Sequence, residues 1–287
     1  MTDNTANPLG VHALVWVGDW TADSSRRAIE ATRATGFDMI EISLHDPATF
    51  DAALTRRLLE DNGLRTSCSL GLAPDADVSS DDPQVVARGR ELLTRALDCA
   101  VGAGATHLCG VLYSDLRKYP GPATELGRAN AAEAMGWLAG QAADAGVTLA
   151  LEVVNRYESN VVNTAAGMRG FIAESGADIA LHLDTYHMNI EEDGFRTPVL
   201  ETGAQLGYVH IGESHRGYLG TGTIDFDGFF EALKTIDYRG PVVFESFSSA
   251  VVAAELSNKL AVWRNLWDDG RDLATHAREF MAKRLAR

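Results

Sequence analysis

The chain has 287 residues, with 25 Lys and Arg against 40 Asp and Glu, for a formal net charge of -15. That excess repels phosphate backbones and anionic lipid surfaces, which argues against nucleic acid or a membrane as partner. The length suits one barrel domain of about 250 residues, and three cysteines without a CxxC pair argue against a disulfide framework.

The first ten residues, MTDNTANPLG, are polar and acidic, lack the basic and apolar segments of a signal peptide, and are expected to be a flexible N-terminus. The domain is expected to span 11–287. No apolar stretch reaches the roughly 20 residues that cross a bilayer, so a cytoplasmic protein is the expectation. VHALVW (11–16) is the first expected strand, with SSRRAIEATRATG (24–36) as the helix behind it. MIEIS (39–43), TSCSL (66–70) and THLCGV (106–111) follow as strands, with the helical pattern ELLTRALDCAVGAG (91–104) between the last two. AAEAMGWLAGQAADAG (131–146) leads into TLALE (148–152), after which IALHLD (179–184), GYVHI (207–211) and VVFE (242–245) complete eight strands. Gly36, Gly63, Gly104 and Gly146 suit left-handed caps after helices. DADVSSDDPQ (75–84) and YSDLRKYPGPATELG (113–127) read as long loops. From 256 to 287, Leu260, Trp263, Leu266 and Trp267 stand at helical spacing and predict a packed helical extension that closes the outer ring. Short apolar runs alternating with amphipathic ones are the pattern of an α/β fold, here a (β/α)8 TIM barrel.

Four of the strands end on residues that bind divalent metals: Glu152, Asp184, His210 and Glu245. Side chains two apart along a strand share a face, so these four pair with Ala150, His182, Tyr208 and Val243 on the barrel axis, while Leu151, Leu183, Val209 and Phe244 face outward. Each alone would more often be structural. Three carboxylates and an imidazole at the C-terminal mouth, where barrel active sites are built, repel one another without a cation. The oxygen-rich set matches Mn²⁺, Mg²⁺ or Co²⁺ better than a thiolate-seeking ion.

The loops that follow carry Asn155, Arg156 and Glu158, then His187, Asn189 and Glu191, then Glu213, His215 and Arg216. Glu158, His187 and Arg216 each lie a few residues beyond a proposed ligand, within reach of whatever the metal holds. Gly217, Gly220 and Gly222 suggest either a phosphate cradle or a lid, although their spacing fits no P-loop.

The segments LEVVNRYESNVVNTAA (151–166), HLDTYHMNIEE (182–192), YVHIGESHRGYLGTGTIDF (208–226) and VFESF (243–247) closely resemble the ketose 3-epimerases. That group comprises the D-tagatose, D-allulose (psicose) and L-ribulose 3-epimerases of the xylose-isomerase-like barrels, and the likeness runs from about residue 11 to the C-terminus. It implies a Mn²⁺- or Co²⁺-type site at Glu152, Asp184, His210 and Glu245, and sugar contacts from Glu158, His187 and Arg216. It also implies a pocket wall containing His12, Trp16, Ser69 and Val111, and a homodimer or homotetramer. His12 fits a core histidine with one satisfied hydrogen bond equally well.

Epimerisation of a free ketose at carbon 3 removes a proton from one face and returns it to the other, and Glu152 and Glu245 are the natural acid/base pair. An aldose-ketose isomerase or a metal-dependent dehydratase would use similar groups. A metal-dependent endonuclease would want more histidines and a basic surface, and a sugar-binding module would bind without proton exchange.

Overall fold

In a computed structural model, which describes residues 7–286, eight parallel strands close into a barrel in sequential order. The first half runs β1 (Leu9–His12), α1 (Ala22–Ala34), β2 (Met39–Ser43), α2 (Ala52–Asn62), β3 (Arg65–Leu72), α3 (Pro83–Ala103), β4 (His107–Asp115) and α4 (Glu125–Asp144). The second half runs β5 (Thr148–Glu152), α5 (Ala165–Ser175), β6 (Ala180–Asp184), α6 (Thr185–Glu191), α7 (Arg196–Thr202), β7 (Leu206–Ile211), α8 (Phe226–Thr235) and β8 (Val242–Phe244). Two further helices, α9 (Ala254–Lys259) and α10 (Gly270–Leu285), follow. This is the expected (β/α)8 barrel.

Local chemistry sets where the helices begin. Thr21, Asp51, Asp82, Thr124, Thr164 and Asp225 each accept a first-turn backbone N–H, which satisfies donors that have no partner inside the helix. The outward strand residues Val11, Ile40, Leu108, Leu151, Leu183 and Val209 are buried in one core with the helices. Inside the barrel, Met39, Cys109, Ala150, Tyr208 and Val243 form a separate buried layer. That layer is the floor on which the polar mouth stands. All three cysteines are free and buried.

Several boundaries differ from expectation. Of the expected flexible segment 1–10, residues 7–10 are fixed in the barrel: Asn7 is buried and donates to the carbonyls of Tyr238 and Gly240, and β1 begins at Leu9. Residues 1–6 lie outside the described residues. β1 ends at His12 rather than Trp16, because His12 Nδ1 accepts from Leu14 N at 3.2 Å and turns the chain into a 3-10 helix at Ala13–Val15. β4 extends to Asp115, so the expected loop begins later. β8 stops at Phe244, but Glu245 N still donates to Ile211 O at 3.1 Å and keeps Glu245 in line with the strand.

The C-terminal extension is not one helix. Ala261 adopts a φ of 54° and breaks it after α9. Leu256, Leu260 and Val262 pack on Leu14, Phe247 and Val252, a satellite cluster at the barrel mouth. Trp267 is buried and donates to Ser246 Oγ at 3.0 Å, whereas Trp263 is 72% exposed and is not packing as expected. Among the described residues no helix is long and apolar enough to cross a membrane.

Candidate active site

The four strand-ending residues converge. One ligand-type atom from each of Glu152, Asp184, His210 and Glu245 lies within 4.8 Å of the others, and all four residues are buried. Register explains why. Asp184 and His210 are direct partners across β6 and β7, and Glu152 stands beside His182 across β5 and β6.

β6 passes into α6 without a loop, and Asp184 serves both elements. Its Oδ1 caps the helix by accepting from Tyr186 N at 2.8 Å, which leaves Oδ2 facing the cluster. His187 sits three residues on, with Nε2 3.5 Å from that Oδ2. The tautomer of His187 follows from its other nitrogen: Nδ1 accepts from Asn155 N at 3.2 Å and from Asn155 Nδ2 at 2.8 Å. Nε2 therefore carries the proton and points it among Asp184, Glu152 and Glu158. Burial, together with the nearby Arg216 charge, depresses the His187 pKa well below normal and keeps the ring neutral.

His210 shows the donor chemistry a metal needs. Its Nε2 lies 2.7 Å from Glu41 Oε2, while its buried Nδ1 has no hydrogen-bond partner and stands 3.5 Å from both Glu152 Oε1 and Glu245 Oε1. Burial alone would lower its pKa, but the Glu41 and Glu245 carboxylates outweigh burial and raise it. The cluster thus demands positive charge at Nδ1, which a proton or a divalent cation supplies. The residues present fit a cation.

The two glutamates are tuned apart. Burial raises the Glu152 pKa despite His210. Burial acts on Glu245 in the same sense, but His210 and Arg216 outweigh it and hold it at about 2. Arg216 pairs with Glu245 and lies 3.3 Å from Asp184 Oδ2, its guanidinium 3.7 Å from the Tyr186 ring centre and 4.8 Å from that of Phe247. A φ of 63° at a non-glycine residue puts it there, a strained conformation of the kind that clusters at functional sites. Glu158 is buried, accepts from Asn155 Nδ2 at 3.0 Å, and is pushed up to about 7 by burial against the opposing pull of Arg216.

A cavity of about 560 Å³ opens over this centre and is lined by Glu152, Glu158, His187, His210, Arg216 and Glu245. His12, Ser69 and Val111 also line it, and so do Leu256 and Leu260 from the C-terminal segment. Trp16 does not. With β1 ending early, its indole points to α1 and donates to Thr32 Oγ1 at 3.0 Å, and Trp20 lines the cavity instead.

Other loop groups resolve into structure. Arg156 pairs with Glu191 at 2.7 Å, and His215 Nδ1 accepts from Gly217 N at 3.1 Å. The glycine-rich loop is no phosphate cradle. The buried Glu213 carboxylate already takes the amides of Ser214 and Gly220, both at 2.8 Å, and a Cβ on Gly222 would meet Glu213 Oε1 at 2.3 Å.

Two buried groups lay outside the expected site. Glu41 touches His210 and Tyr208, and parity with Met39 along MIEIS could have placed it inside the barrel. His182 has no partner on either ring nitrogen, its ring centre is 4.2 Å from that of His210, and it forms a second possible ligand group with Glu152 and His210.

The chain matches the family model of the xylose isomerase-like TIM barrel over residues 29–283. It is 56% identical over 276 residues to an L-ribulose 3-epimerase of Methylomonas sp. (strain DH-1), covering 96% of both chains. It is 51% identical over 278 residues to a ketose 3-epimerase of Arthrobacter globiformis, again covering 96% of both. A crystal structure of D-allulose 3-epimerase from Methylomonas sp. in complex with D-allulose superposes with a TM-score of 0.95 at 55% identity, covering 97% of each chain. With the barrel, the ligand cluster and these relatives in agreement, the chain belongs to the ketose 3-epimerase family of xylose isomerase-like TIM barrels.

Proposed function

We propose that this enzyme epimerises free ketoses at carbon 3, of the D-fructose/D-allulose, D-tagatose/D-sorbose or L-ribulose/L-xylulose type, through a cis-enediolate. The observation that carries this reading is the convergence of three carboxylates and the unpartnered His210 Nδ1 on one point, with two glutamates of opposite tuning among them. Glu152, Asp184, His210 and Glu245 would hold Mn²⁺, with Co²⁺ or Mg²⁺ as substitutes, since oxygen-rich sets suit these ions. When bound, the cation supplies Lewis-acid polarisation of the ketose carbonyl and charge neutralisation.

The side chains do the rest. Glu245, kept ionised, takes the carbon-3 proton from one face, and Glu152, whose burial favours its neutral form, returns one to the other. The roles exchange in the reverse direction. Glu152 ends β5 and Glu245 follows β8, three strands further round the barrel, so they reach the sugar from different sides. The His187 Nε2–H and Arg216 donate to the oxygen that gains negative charge, and Glu158 holds a terminal hydroxyl.

A free rather than phosphorylated sugar is supported by the charge of the cavity. Seven carboxylate residues line it (Asp19, Glu41, Asp46, Glu152, Glu158, Glu245 and Glu255), against the cations Arg216 and Lys259, both of which are paired with carboxylates. The D-allulose complex of the Methylomonas protein supports the same class. Three buried free cysteines favour a cytoplasmic setting, and the family resemblance favours a homodimer or homotetramer. The test is turnover of free ketoses in D₂O. Deuterium at carbon 3 is the expected result; label at carbon 1 would make the enzyme an aldose-ketose isomerase.

A further inference from the structure

Among the described residues, Glu41 is the one buried carboxylate at the metal centre that the proposed chemistry does not use. It lies in the middle of β2, fully buried, and its Oε2 accepts from Tyr208 Oη at 2.7 Å and faces His210 Nε2 at 2.7 Å. Tyr208 Oη is itself 2.6 Å from Ser67 Oγ. On the other side, His12 Nε2 stands 3.5 Å from Glu41 Oε1. Because His12 Nδ1 accepts from Leu14 N, its Nε2 is the protonated nitrogen and also faces Glu41.

An ionised carboxylate costs several kcal/mol to bury unless it is paired and hydrogen-bonded, so this one persists through its neighbours. The neighbour that matters is His210. Glu41 meets one edge of that imidazole at Nε2, and the ligand cluster meets the opposite edge at Nδ1. Holding the proton on Nε2 leaves the Nδ1 lone pair for the cation, and a negative partner behind a histidine raises its basicity as a ligand. Glu41 is not among the four residues whose ligand atoms converge, so it acts through the ring.

We infer that Glu41 is a positioning residue of the metal centre: it fixes His210 as an Nδ1 ligand and so sets the affinity for the cation. This rests on the metal-site reading above. It goes further in assigning affinity to a residue outside the four whose ligand atoms converge.

The experiment uses full-length protein stripped with EDTA and titrated with MnCl₂ by calorimetry and with CoCl₂ by visible absorbance. Glu41→Gln is expected to weaken both roughly 10- to 100-fold, as losing the partner behind a ligating histidine does elsewhere. Turnover should recover at high MnCl₂ with KM for the ketose unchanged, and the metal-induced rise in Tm at fixed MnCl₂ should shrink. A folded Glu41→Gln protein whose Mn²⁺ affinity lies within about twofold of the parent would overturn the inference, because only a structural role lowers Tm without touching affinity. Should the variant not fold, ¹⁵N spectra of the Mg²⁺-loaded parent decide. A proton on His210 Nε2 supports the assignment, and one on Nδ1 overturns it. If the parent itself binds neither Mn²⁺ nor Co²⁺, it is the metal-site reading that fails.

Discussion

Asn155 holds His187 and Glu158 at once, and Asn155→Asp removes that control while preserving shape. Its side-chain amide donates to His187 Nδ1 at 2.8 Å and to Glu158 Oε1 at 3.0 Å, and its Oδ1 accepts from Tyr157 N at 2.9 Å. Aspartate keeps only the last of these. Two buried acceptors would then face a third, at a cost of ~1–3 kcal/mol each, so ~2–6 kcal/mol of stability is at stake. The effect on turnover comes through the tautomer. A carboxylate beside Nδ1 draws the His187 proton there and strips Nε2 of the hydrogen it presents to the site. We expect kcat/KM to fall by about a hundredfold or more, equivalent to ~2.7 kcal/mol of transition-state stabilisation. Asn155→Ala should be milder, because the backbone N–H at 3.2 Å still holds Nδ1 as an acceptor. Urea unfolding, steady-state kinetics on D-fructose and D-allulose, and ¹⁵N shifts of His187 measure the three parts. The reasoning is refuted if Asn155→Ala is the more damaging variant, or if Asn155→Asp stays within about threefold of the parent.

Glu152→Gln and Glu245→Gln should each fold normally and lose at least roughly a hundredfold in rate, the usual share of general acid/base participation. Near-normal turnover in either would remove that residue from the mechanism. Glu158 contributes a pH dependence of its own. Its carboxyl sits at about 7 in the fold against 4.5 ordinarily, so the folded protein keeps a proton that the unfolded chain releases in that window, and stability falls as pH rises through it. Glu158→Gln lacks this loss. Its stability relative to the parent should improve by up to ~3 kcal/mol between about pH 4.5 and pH 7.5, read by urea unfolding; a pH-independent difference would contradict the burial of an ionisable Glu158.

The convergence of Glu152, Asp184, His210 and Glu245 was legible because strand parity is a strict rule, and four runs ended on ligand types in the same phase. Applied to MIEIS, the same rule points Glu41 inward with Met39, yet a single glutamate inside an apolar run carries no sign of the histidine it serves. Trp16 is expected in the pocket wall from the family resemblance alone; His12 Nδ1 captures Leu14 N and ends the first strand before it, a local bond that hydrophobic pattern does not encode, and the indole turns to Thr32 instead. Of the two readings of the glycine-rich loop, the phosphate cradle fails because Glu213, in the middle of it, consumes the amides a phosphate would need. In the C-terminal segment, helical spacing continued across Ala261, where the backbone turns left-handed and places Leu256 and Leu260 over the cavity.

The most direct test of the metal-centred mechanism is one assay series on the same preparation: epimerisation of free ketoses by the enzyme as isolated, after EDTA treatment, and after adding back MnCl₂, CoCl₂ or MgCl₂. Activity should vanish with EDTA and return with the added ion. Undiminished activity in rigorously metal-free protein would contradict the role assigned to Glu152, Asp184, His210 and Glu245.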